Sequence, residues 1–383
     1  MSVSSVSQIA FEATPLLGPK TGVAEFCYGA ISGLNDLGRF KVDPFVVSWR
    51  NRGKLRDALP NVDLQEHLPM PARPLHAMWS KINFPPLEMF IRNADVVHGS
   101  NFVVPPTWRA KRVVTVHDLT PLLYSSAADP ATLIFPRLIQ QAIDSGAFVH
   151  TPSHFVRSQL LEYFDVDPSR VFAVHHGIPT QASLSLSDAG VIAKELLETN
   201  GLVPKHFILG LGTVEPRKDF VSLVKGFVEI ASDYPDLMLV IAGQPGWGSV
   251  ELDAEIKGCG LVGRIARLGY VNALVRRWLL ENALSFVYSS IYEGFGFPPL
   301  EAMSLGTPVI STTTGSLPEV LGDAAIWVKA RDANAIAGAI DGLILNDASQ
   351  KLYASLGLRR VKDFSWQKCA LGLSSIYDEA IKG

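Results

Sequence analysis

The chain has 383 residues, of which 48% are hydrophobic and 19% are charged, so it is long enough for two globular domains and too apolar for a disordered protein. Its net charge of -3 excludes the strongly basic footprint of a nucleic-acid-binding protein. No run of about twenty apolar residues is present to span a bilayer, and the three widely spaced cysteines form neither a CxxC zinc motif nor a disulfide framework.

The first residues, "MSVSSVSQIAFEATPLL", combine no basic region with a long apolar stretch, so no signal peptide is predicted. Together with the isolated cysteines, this indicates a protein of the reducing cytoplasm.

Short apolar runs alternate with amphipathic stretches along the whole chain, which indicates parallel sheets covered by helices on both faces. In the first half these runs are "PFVVSW", "ADVVHGS", "RVVTVHD", "FVHTPS" and "VFAVHHG". In the second half they are "HFILGLG", "LMLVIAG", "RIARLGY", "LSFVYSS", "PVISTTT" and "AAIWVK". Ser153, Asp219 and Asn272 are predicted helix N-caps. The predicted fold class is α/β, with two doubly wound, Rossmann-like domains.

The polar stretch Thr180–Gly190 interrupts this alternation and is the best candidate for a linker between the two domains. The amphipathic stretch "VIAKELLETNG" that follows it could belong to either domain. In doubly wound sheets, ligands bind at the carboxyl ends of strands, so the residues that follow strands are the candidate site residues.

Several polar residues of the first half stand at such positions. Gly22 lies in a loop of small residues before a helix, whose N-terminus can bind an anion. His98 and Asn101, in "VVHGSNFVVPP", follow a predicted strand and could line an acceptor site, and His117 and Asp118 end the run "RVVTVHD". The alternative for His117 is an ordinary buried histidine with satisfied hydrogen bonds. The pairs His150/His154 and His175/His176 are not predicted to bind metal, because a proline interrupts the first and strand alternation separates the second.

Two stretches of the first half, Arg50–Pro60 and Met70–Asn93, mix basic residues with apolar ones. A short amphipathic helix of this composition could touch anionic lipid or a lipid-linked acceptor. The alternative is an ordinary variable loop.

In the second half, "GTVEPRKDF" follows a predicted strand and precedes a helix. The adjacent Arg217 and Lys218, called the basic pair below, can neutralise a diphosphate at the end of that strand. The alternative is a solvated pair that caps the turn. The preceding "GLGTVE" could start a dinucleotide-binding fingerprint, but it lacks the third glycine of GxGxxG.

Two glutamates bracket a glycine turn in "EGFGFPPLE", called the Glu-x7-Glu segment below. Glu293 is predicted in the loop after the strand "LSFVYSS", where Gly294 and Gly296 allow the backbone to approach a ligand. The double proline suits the first turn of a helix, which places Glu301 in or near that turn. Both carboxylates are therefore expected to face a ligand site. The alternative is that Glu301 complements the helix dipole and Glu293 is solvated.

The Glu-x7-Glu segment resembles the signature of the retaining family 4 glycosyltransferases. The resemblance extends downstream to "GTPVISTTTGSLPEVLGDAA" and upstream to "FILGLGTVEPRKDF", and more weakly to "VVTVHDLTPLLY" and "VHTPSHFVRSQLLEYFDVDPSRVFAVHHGIP". The subgroup most similar to this chain includes bacterial mannosyltransferases that build polysaccharides and lipid-linked glycans. The resemblance implies the GT-B fold, with an N-terminal domain over 1–185, a nucleotide-sugar-binding domain over 200–364, and a C-terminal helix over 365–383 that crosses back to the first domain.

The resemblance also implies roles for the second-domain residues. Arg217 and Lys218 would hold the donor diphosphate, Glu301 would accept hydrogen bonds from the ribose hydroxyls, and Glu293 would bind hydroxyls of the donor sugar. The backbone amides expected to contact the sugar are those of Gly294, Phe295 and Gly296.

For the first domain, the resemblance implies that His117 contacts the donor sugar and that the loop of Gly22 lies near the diphosphate. Asp118 would orient the imidazole or bind the acceptor. His98 and Asn101 remain candidates for the acceptor side.

The expected activity is transfer of a hexose, with mannose favoured, from a nucleoside-diphosphate sugar such as GDP-mannose to a glycan or lipid-linked acceptor in polysaccharide biosynthesis. The protein could also make peripheral contact with the inner face of the membrane. The co-substrate would be the nucleotide sugar, with no further cofactor, and no obligatory metal is expected. A nucleotide-sugar epimerase or hydrolase and a non-catalytic sugar-nucleotide-binding protein remain alternatives, and a dehydrogenase is a more distant one.

Overall fold

The computed structural model describes residues 6–19, 21–49, 53–125 and 128–383. Contacts divide the chain into two compact units, a first unit of Met1–Gly177 with Phe364–Gly383 and a second unit of Ile178–Asp363. The first domain thus ends at 177 rather than at 185, because the following segment is held by the second unit. There, Nη1 of Arg277 donates a hydrogen bond to the carbonyl of Ala182 at 2.8 Å.

The first unit contains a six-stranded parallel sheet in the order β2-β1-β3-β4-β5-β6. Its strands are β1 (Gln8–Glu12), β2 (Lys41–Phe45), β3 (Val96–Gly99), β4 (Lys111–Thr115), β5 (Phe148–Thr151) and β6 (Val171–Ala173). In register, Ile9 of β1 lies beside Val42 on one side and Val96 on the other. The next strand in the chain, β2, therefore lies on one side of β1, and all later strands lie on the other side.

Two strands of this sheet differ from the sequence prediction. The pattern does not predict β1, because its polar ends, Gln8 and Glu12, interrupt the apolar run although both are buried. The strand β2 begins before the predicted run "PFVVSW" and includes Pro44. A proline is tolerated there because β2 is the edge strand, where one side of the backbone makes no sheet hydrogen bonds.

The helices of the first unit are α1 (Gly22–Leu37), α2 (Lys54–Ala58), α3 (Ala72–Ile82), α4 (Thr120–Leu123), α5 (Phe135–Asp144), α6 (His154–Tyr163) and α15 (Trp366–Lys382). The two stretches of mixed basic and apolar residues contain α2 and α3, and residues 50–52 of the first stretch lie outside the described residues. Across the part of the chain that the structure describes, no helix has the length and apolar character needed to cross a bilayer.

The C-terminal helix α15 packs against α1 in the first unit. Glycines on α1 permit this approach, since a Cβ atom at Gly33 would lie 2.7 Å from the carbonyl oxygen of Trp366. Cys369, Leu373 and Tyr377 of α15 are fully buried in the same core. The helix thus completes the hydrophobic core of the first unit, although 186 residues of chain (178–363) separate it from the rest of that unit.

A buried chain of hydrogen bonds also connects α15 to the sheet. The Tyr377 hydroxyl donates to Nδ1 of His98 (2.6 Å), and Nε2 of His98 donates to the Thr115 hydroxyl (2.7 Å). That hydroxyl donates to Nδ1 of His150 (2.9 Å), whose Nε2 donates to the carbonyl of Val174 (3.0 Å). These directions follow from the terminal carbonyl, which can only accept, and they require both imidazoles to be neutral. Burial is the main cause that lowers the pKa of His98 and brings that of His150 to about 3.

The second unit contains a parallel sheet in the order β12-β11-β10-β7-β8-β9. Its strands are β7 (Phe207–Leu211), β8 (Met238–Ala242), β9 (Ile265–Gly269), β10 (Ser285–Tyr288), β11 (Val309–Thr312) and β12 (Ala325–Val328). Its helices are α7 (Leu186–Asn200), α8 (Phe220–Ala231), α9 (Ser249–Gly258), α10 (Ala273–Asn282), α11 (Phe297–Ser304), α12 (Leu317–Leu321), α13 (Ala333–Ile344) and α14 (Asp347–Arg360). Each predicted run of the second half contains one of these strands, and α7 resolves the open assignment in favour of the second unit.

The predicted N-caps are confirmed. The side chain of Ser153 accepts a hydrogen bond from the amide of Val156 (3.2 Å), and that of Asp219 accepts one from the amide of Ser222 (3.3 Å). Asn272 caps α10 in the same way. The sequence therefore locates helix starts well wherever the capping partner lies only a few residues away.

Candidate active site

In the second sheet, the strand order reverses at one position. The strands β7, β8 and β9 follow one another toward one edge of the sheet, and β10, β11 and β12 follow one another toward the other edge. The switch point thus lies between β7 and β10, and ligands of such sheets bind at the carboxyl ends of the strands there. The basic pair follows β7 and the Glu-x7-Glu segment follows β10, so the topology brings the two motifs together.

The basic pair meets Glu293 directly. Nζ of Lys218 lies 2.5 Å from Oε1 of Glu293, and Nη1 of Arg217 lies 2.9 Å from the same oxygen. Nε of Arg217 also donates to Oε2 of Glu215 at 2.7 Å, and Nζ of Lys218 donates to the Tyr288 hydroxyl at 2.7 Å. Two cations therefore share one carboxylate at the switch point.

This cluster is buried, which makes its charges interact strongly. The side chains of Lys218 and Glu293 are each 9% exposed. Burial opposes ionisation of Glu293, but the positive charges of Arg217 and Lys218 outweigh it and lower the pKa of this carboxyl from 4.5 to about 2. Burial and the neighbouring Arg217 lower the pKa of Lys218, against the attraction of Glu293. Burial also raises the pKa of Tyr288, which keeps its phenol neutral.

The glycine turn between the two glutamates is held by the loop after β11. The amide of Ser316 donates to the carbonyl of Glu293 (2.9 Å), and the Ser316 hydroxyl donates to the carbonyl of Phe295 (3.1 Å). A Cβ atom at Gly315 would lie 2.4 Å from the Glu293 carbonyl oxygen, so only glycine allows this approach. Gly296 has a φ of 101°, in the region that favours glycine. The Phe295 side chain is buried against Phe297, so any contact it makes with a donor is through its backbone.

Glu301 is the fifth residue of α11, which begins at Phe297, so it lies next to the first turn, as the sequence predicts. Its side chain is 7% exposed and forms a bidentate ion pair with Arg276 of α10. Nε of Arg276 donates to Oε2 at 2.9 Å and Nη2 donates to Oε1 at 2.6 Å. This fork fixes the plane of the carboxylate.

Arg276 is the site residue that sequence reasoning missed. Arg276 lies in the helix for which Asn272 is the predicted N-cap, and nothing in its spacing relates it to Glu301, 25 residues later. An arginine inside an apolar helical run is the one signal that could have marked it.

The first-unit candidates have different surroundings. Gly22 is the first residue of α1, whose N-cap is Thr21. His98 is fully buried and both ring nitrogens have protein partners, so it is a core residue and the acceptor-side prediction for it is wrong. Asn101 lines a large cavity of the first unit. Asp118 accepts a hydrogen bond from the amide of Thr120 at 2.8 Å, at the start of α4.

His117 is half-buried, and its Nε2 donates to the carbonyl of Ser100 at 2.8 Å. Burial lowers its pKa, so the ring is neutral near pH 7 and Nδ1 is a hydrogen-bond acceptor. Its ring centroid lies 5.3 Å from that of Phe26 and 5.7 Å from that of His176. Within the described residues, no group of three or more histidine, cysteine, aspartate or glutamate side chains could hold a metal ion.

Comparisons with known proteins agree with the two-unit architecture. A family model described as "Glycosyltransferase Family 4" matches residues 21–182, and one described as "Glycosyl transferases group 1" matches residues 195–358. The chain is 30% identical over 292 residues to O-antigen chain mannosyltransferase B of Escherichia coli, which covers 74% of each protein. Over 68% of its length, the chain is also 25% identical to the serotype-specific mannosyltransferase WbdA of the same organism. The matched segment covers 32% of that longer protein.

Solved structures share the whole fold. The HepE protein of Anabaena, in complex with UDP and glucose, superposes with a TM-score of 0.72 at 17% identity, covering 97% of this chain and 100% of that one. Sucrose-phosphate synthase of Thermosynechococcus elongatus gives 0.70 at 18% identity, covering 97% and 98%. The two Rossmann-like sheets are thus those of the GT-B fold, and the chain belongs to family 4 of the glycosyltransferases.

Proposed function

We propose that the protein is a retaining mannosyltransferase that moves mannose from GDP-mannose to a hydroxyl of a glycan or lipid-linked acceptor in polysaccharide biosynthesis. The observation that carries this proposal is the buried cluster of the basic pair and Glu293 at the β7/β10 switch point. Relatives named as O-antigen chain mannosyltransferases support mannose as the sugar, and guanine is proposed as the base with it.

The charges of the cluster explain how a diphosphate could be accepted. Arg217 and Lys218 carry two positive charges, and Glu215 and Glu293 carry two negative ones, so the cluster is neutral before a ligand binds. A diphosphate that takes over the two cations releases the Glu293 carboxylate from them. That carboxylate can then accept hydrogen bonds from hydroxyls of the donor sugar, which is the role proposed for it.

The remaining second-unit residues would bind and orient the donor. The carboxylate of Glu301, fixed by Arg276, would accept hydrogen bonds from the ribose hydroxyls on the lone pairs that the arginine fork does not use. The amides of the glycine turn 294–296 would approach the sugar. Lys218 is itself positioned by Tyr288, whose hydroxyl accepts its hydrogen bond.

The proposed reaction occurs on one face of the sugar. The bond between the anomeric carbon and the phosphate oxygen breaks, and the acceptor oxygen forms its bond to the same face of that carbon. The acceptor proton passes to an oxygen of the departing diphosphate, so no protein base is required and the anomeric configuration is retained. Arg217 and Lys218 would stabilise the charge that develops on the leaving group, and preorganised contacts of this kind commonly contribute most to catalysis.

The test is a transfer assay with GDP-mannose, UDP-glucose and ADP-glucose against a panel of glycosides, in which free nucleotide and the anomeric configuration of the product are measured by NMR. Lys218→Ala and Arg217→Ala should each lower turnover at least tenfold, because one positioned donor is commonly worth about 2.7–4 kcal/mol in the transition state. Lys225→Ala is the control, since this lysine is 54% exposed on α8 of the same unit.

Other outcomes identify the alternatives. A hydrolase would release sugar to water without an acceptor, an epimerase would change the sugar configuration without one, and a binding protein would bind the nucleotide sugar without turnover. A change in nicotinamide absorbance would indicate a dehydrogenase. An inverted product would refute the retaining mechanism alone.

A further inference from the structure

Glu215 belongs to the charged cluster at the β7/β10 switch point, and the proposed reaction gives it no step. It directly precedes the 3₁₀ turn Pro216–Lys218, yet its side chain makes no cap bond with that turn. Instead, its Oε2 accepts a hydrogen bond from Nε of Arg217 at 2.7 Å. The side chains of Glu215 and Arg217 are 16% and 18% exposed, so solvent screens this ion pair only in part. Glu215 is therefore bonded to one of the two cations that would contact the diphosphate.

The backbone around the basic pair is fixed by hydrogen bonds on both sides. The amide of Lys218 donates to the carbonyl of Glu215 (2.9 Å), and the amide of Ile291 donates to the carbonyl of Arg217 (2.8 Å). The Ser289 hydroxyl donates to the carbonyl of Lys218 (2.7 Å). Because the backbone is fixed at these points, the direction of the long Arg217 side chain depends on the groups that bond its guanidinium.

The two glutamates of the cluster bond different nitrogens of Arg217. Glu215 is bonded to Nε, whereas Oε1 of Glu293 lies 2.9 Å from Nη1 and 2.5 Å from Nζ of Lys218. A diphosphate that replaces Glu293 takes over Nη1 and Nζ and does not compete for Nε. The guanidinium is planar and its N–H donors have fixed directions, so a bond at Nε also constrains the direction of the other donors. Glu215 can therefore stay bonded to Arg217 when Glu293 is released.

The charge of Glu215 acts on the ligand as well. Once Glu293 has been released, the basic pair carries two positive charges, and Glu215 reduces their sum to one. A nucleoside diphosphate is a multiply charged anion, and charges interact strongly where water is largely excluded. Without Glu215, the product of the reaction would be bound more tightly, and product release limits the turnover of many enzymes.

We infer that Glu215 is a positioning residue for the leaving diphosphate. It keeps Arg217 in its orientation after Glu293 has been released, and its charge lowers the affinity of the basic pair for the product. This inference deepens the proposed function and rests on it for the identification of the ligand as a nucleoside diphosphate.

The first test measures binding without any transfer. Affinities of wild type and Glu215→Gln for GDP and for inorganic diphosphate would be measured by calorimetry, and inorganic diphosphate reports on the basic pair whichever base the donor carries. The glutamine keeps an oxygen that can accept a hydrogen bond from Nε but has no charge. Glu215→Gln should therefore bind both ligands roughly fivefold more tightly or better. The inhibition constant of GDP in the transfer assay should fall by the same factor.

A matched control separates this effect from a general change in charge. Glu229→Gln removes one negative charge from the same unit, and Glu229 is exposed on α8. This variant should leave both affinities unchanged. A merely structural role of Glu215 would lower the melting temperature of Glu215→Gln without tightening the binding of either ligand.

The second test measures the orientation of Arg217. Glu215→Ala removes both the charge and the hydrogen-bond acceptor, whereas Glu215→Gln removes only the charge. The rate of a single turnover with GDP-mannose does not depend on product release. That rate should be about tenfold lower or less in Glu215→Ala than in Glu215→Gln, because a displaced catalytic group is costly in rate.

The outcomes are distinct for the two proposals. Unchanged or weaker binding of both ligands by Glu215→Gln, or equal single-turnover rates of the glutamine and alanine variants, would overturn the inference even if GDP-mannose is a donor. If Glu215→Gln tightens the binding of diphosphate but no nucleotide sugar is transferred, the proposed function fails and the effect of Glu215 on anion binding stands. If the wild type binds neither ligand, both proposals are overturned.

Discussion

The ion pairs of Glu293 give a prediction about stability that requires no substrate. The pKa of this buried carboxyl is about 2, against an ordinary value of 4.5. The difference of about 2.5 in pKa corresponds to about 3 kcal/mol, at 1.36 kcal/mol for each pKa unit. Glu293→Gln removes the charge and leaves Arg217 and Lys218 to repel each other. The second unit should therefore lose about 3 kcal/mol of stability at pH 7, a decrease in melting temperature on the order of 6–12 °C for a unit of this size.

The pH dependence of this loss follows from the direction of the pKa change. Since the folded state lowers the pKa, the stabilisation is present above the ordinary value of 4.5 and is lost as the pH falls through about 2. The difference in melting temperature between wild type and Glu293→Gln should be constant from pH 7 to pH 5 and should shrink progressively below that.

The assay is thermal unfolding of both proteins at pH 7, 5, 4 and 3, with Glu255→Gln as the control. Glu255 is paired with Lys225 at 3.6 Å, but the lysine side chain is 54% exposed, and such surface pairs contribute about 0–1 kcal/mol. Equal melting temperatures at pH 7 for wild type and Glu293→Gln would refute the reasoning. A difference that does not change with pH would show that packing, and not charge, is the cause.

Three further predictions concern other parts of the molecule. Glu301→Gln should raise KM for the donor and leave kcat nearly unchanged, because a ribose contact exists before and during the reaction. Arg276→Ala should also raise KM, but by less. If Glu301→Gln binds free GDP as tightly as the wild type does, the ribose contact is contradicted. His117→Ala should impair transfer strongly without changing GDP affinity, whereas a rate that merely follows the folded fraction would make this histidine structural. Tyr377→Phe should destabilise the first unit by about 1–3 kcal/mol in denaturant unfolding, because Nδ1 of His98 loses its donor in a buried site, and an unchanged midpoint would disprove that bond.

Features that depend on residues close together in the chain could be predicted from the sequence alone. The alternation of apolar runs and amphipathic stretches specified α/β units, because each run records the period of its own element. The caps at Ser153, Asp219 and Asn272 could be located because each side chain bonds an amide two or three residues ahead. The Glu-x7-Glu segment and the basic pair were visible for the same reason.

Which of these side chains contact one another could not be predicted, because it depends on how the whole chain packs. Lys218 and Glu293 are separated by 75 residues, and Arg276 and Glu301 by 25, so sheet topology and helix packing, which no local pattern records, bring them together. Burial was also decided at this level. His98 follows the pattern of a site residue but lies in the core, whereas Glu12 ends a strand that the pattern does not predict and forms the polar end of a cavity. The physical reason is that hydrophobic periodicity is a property of a segment, while the partner and solvent exposure of a polar group depend on every segment packed around it.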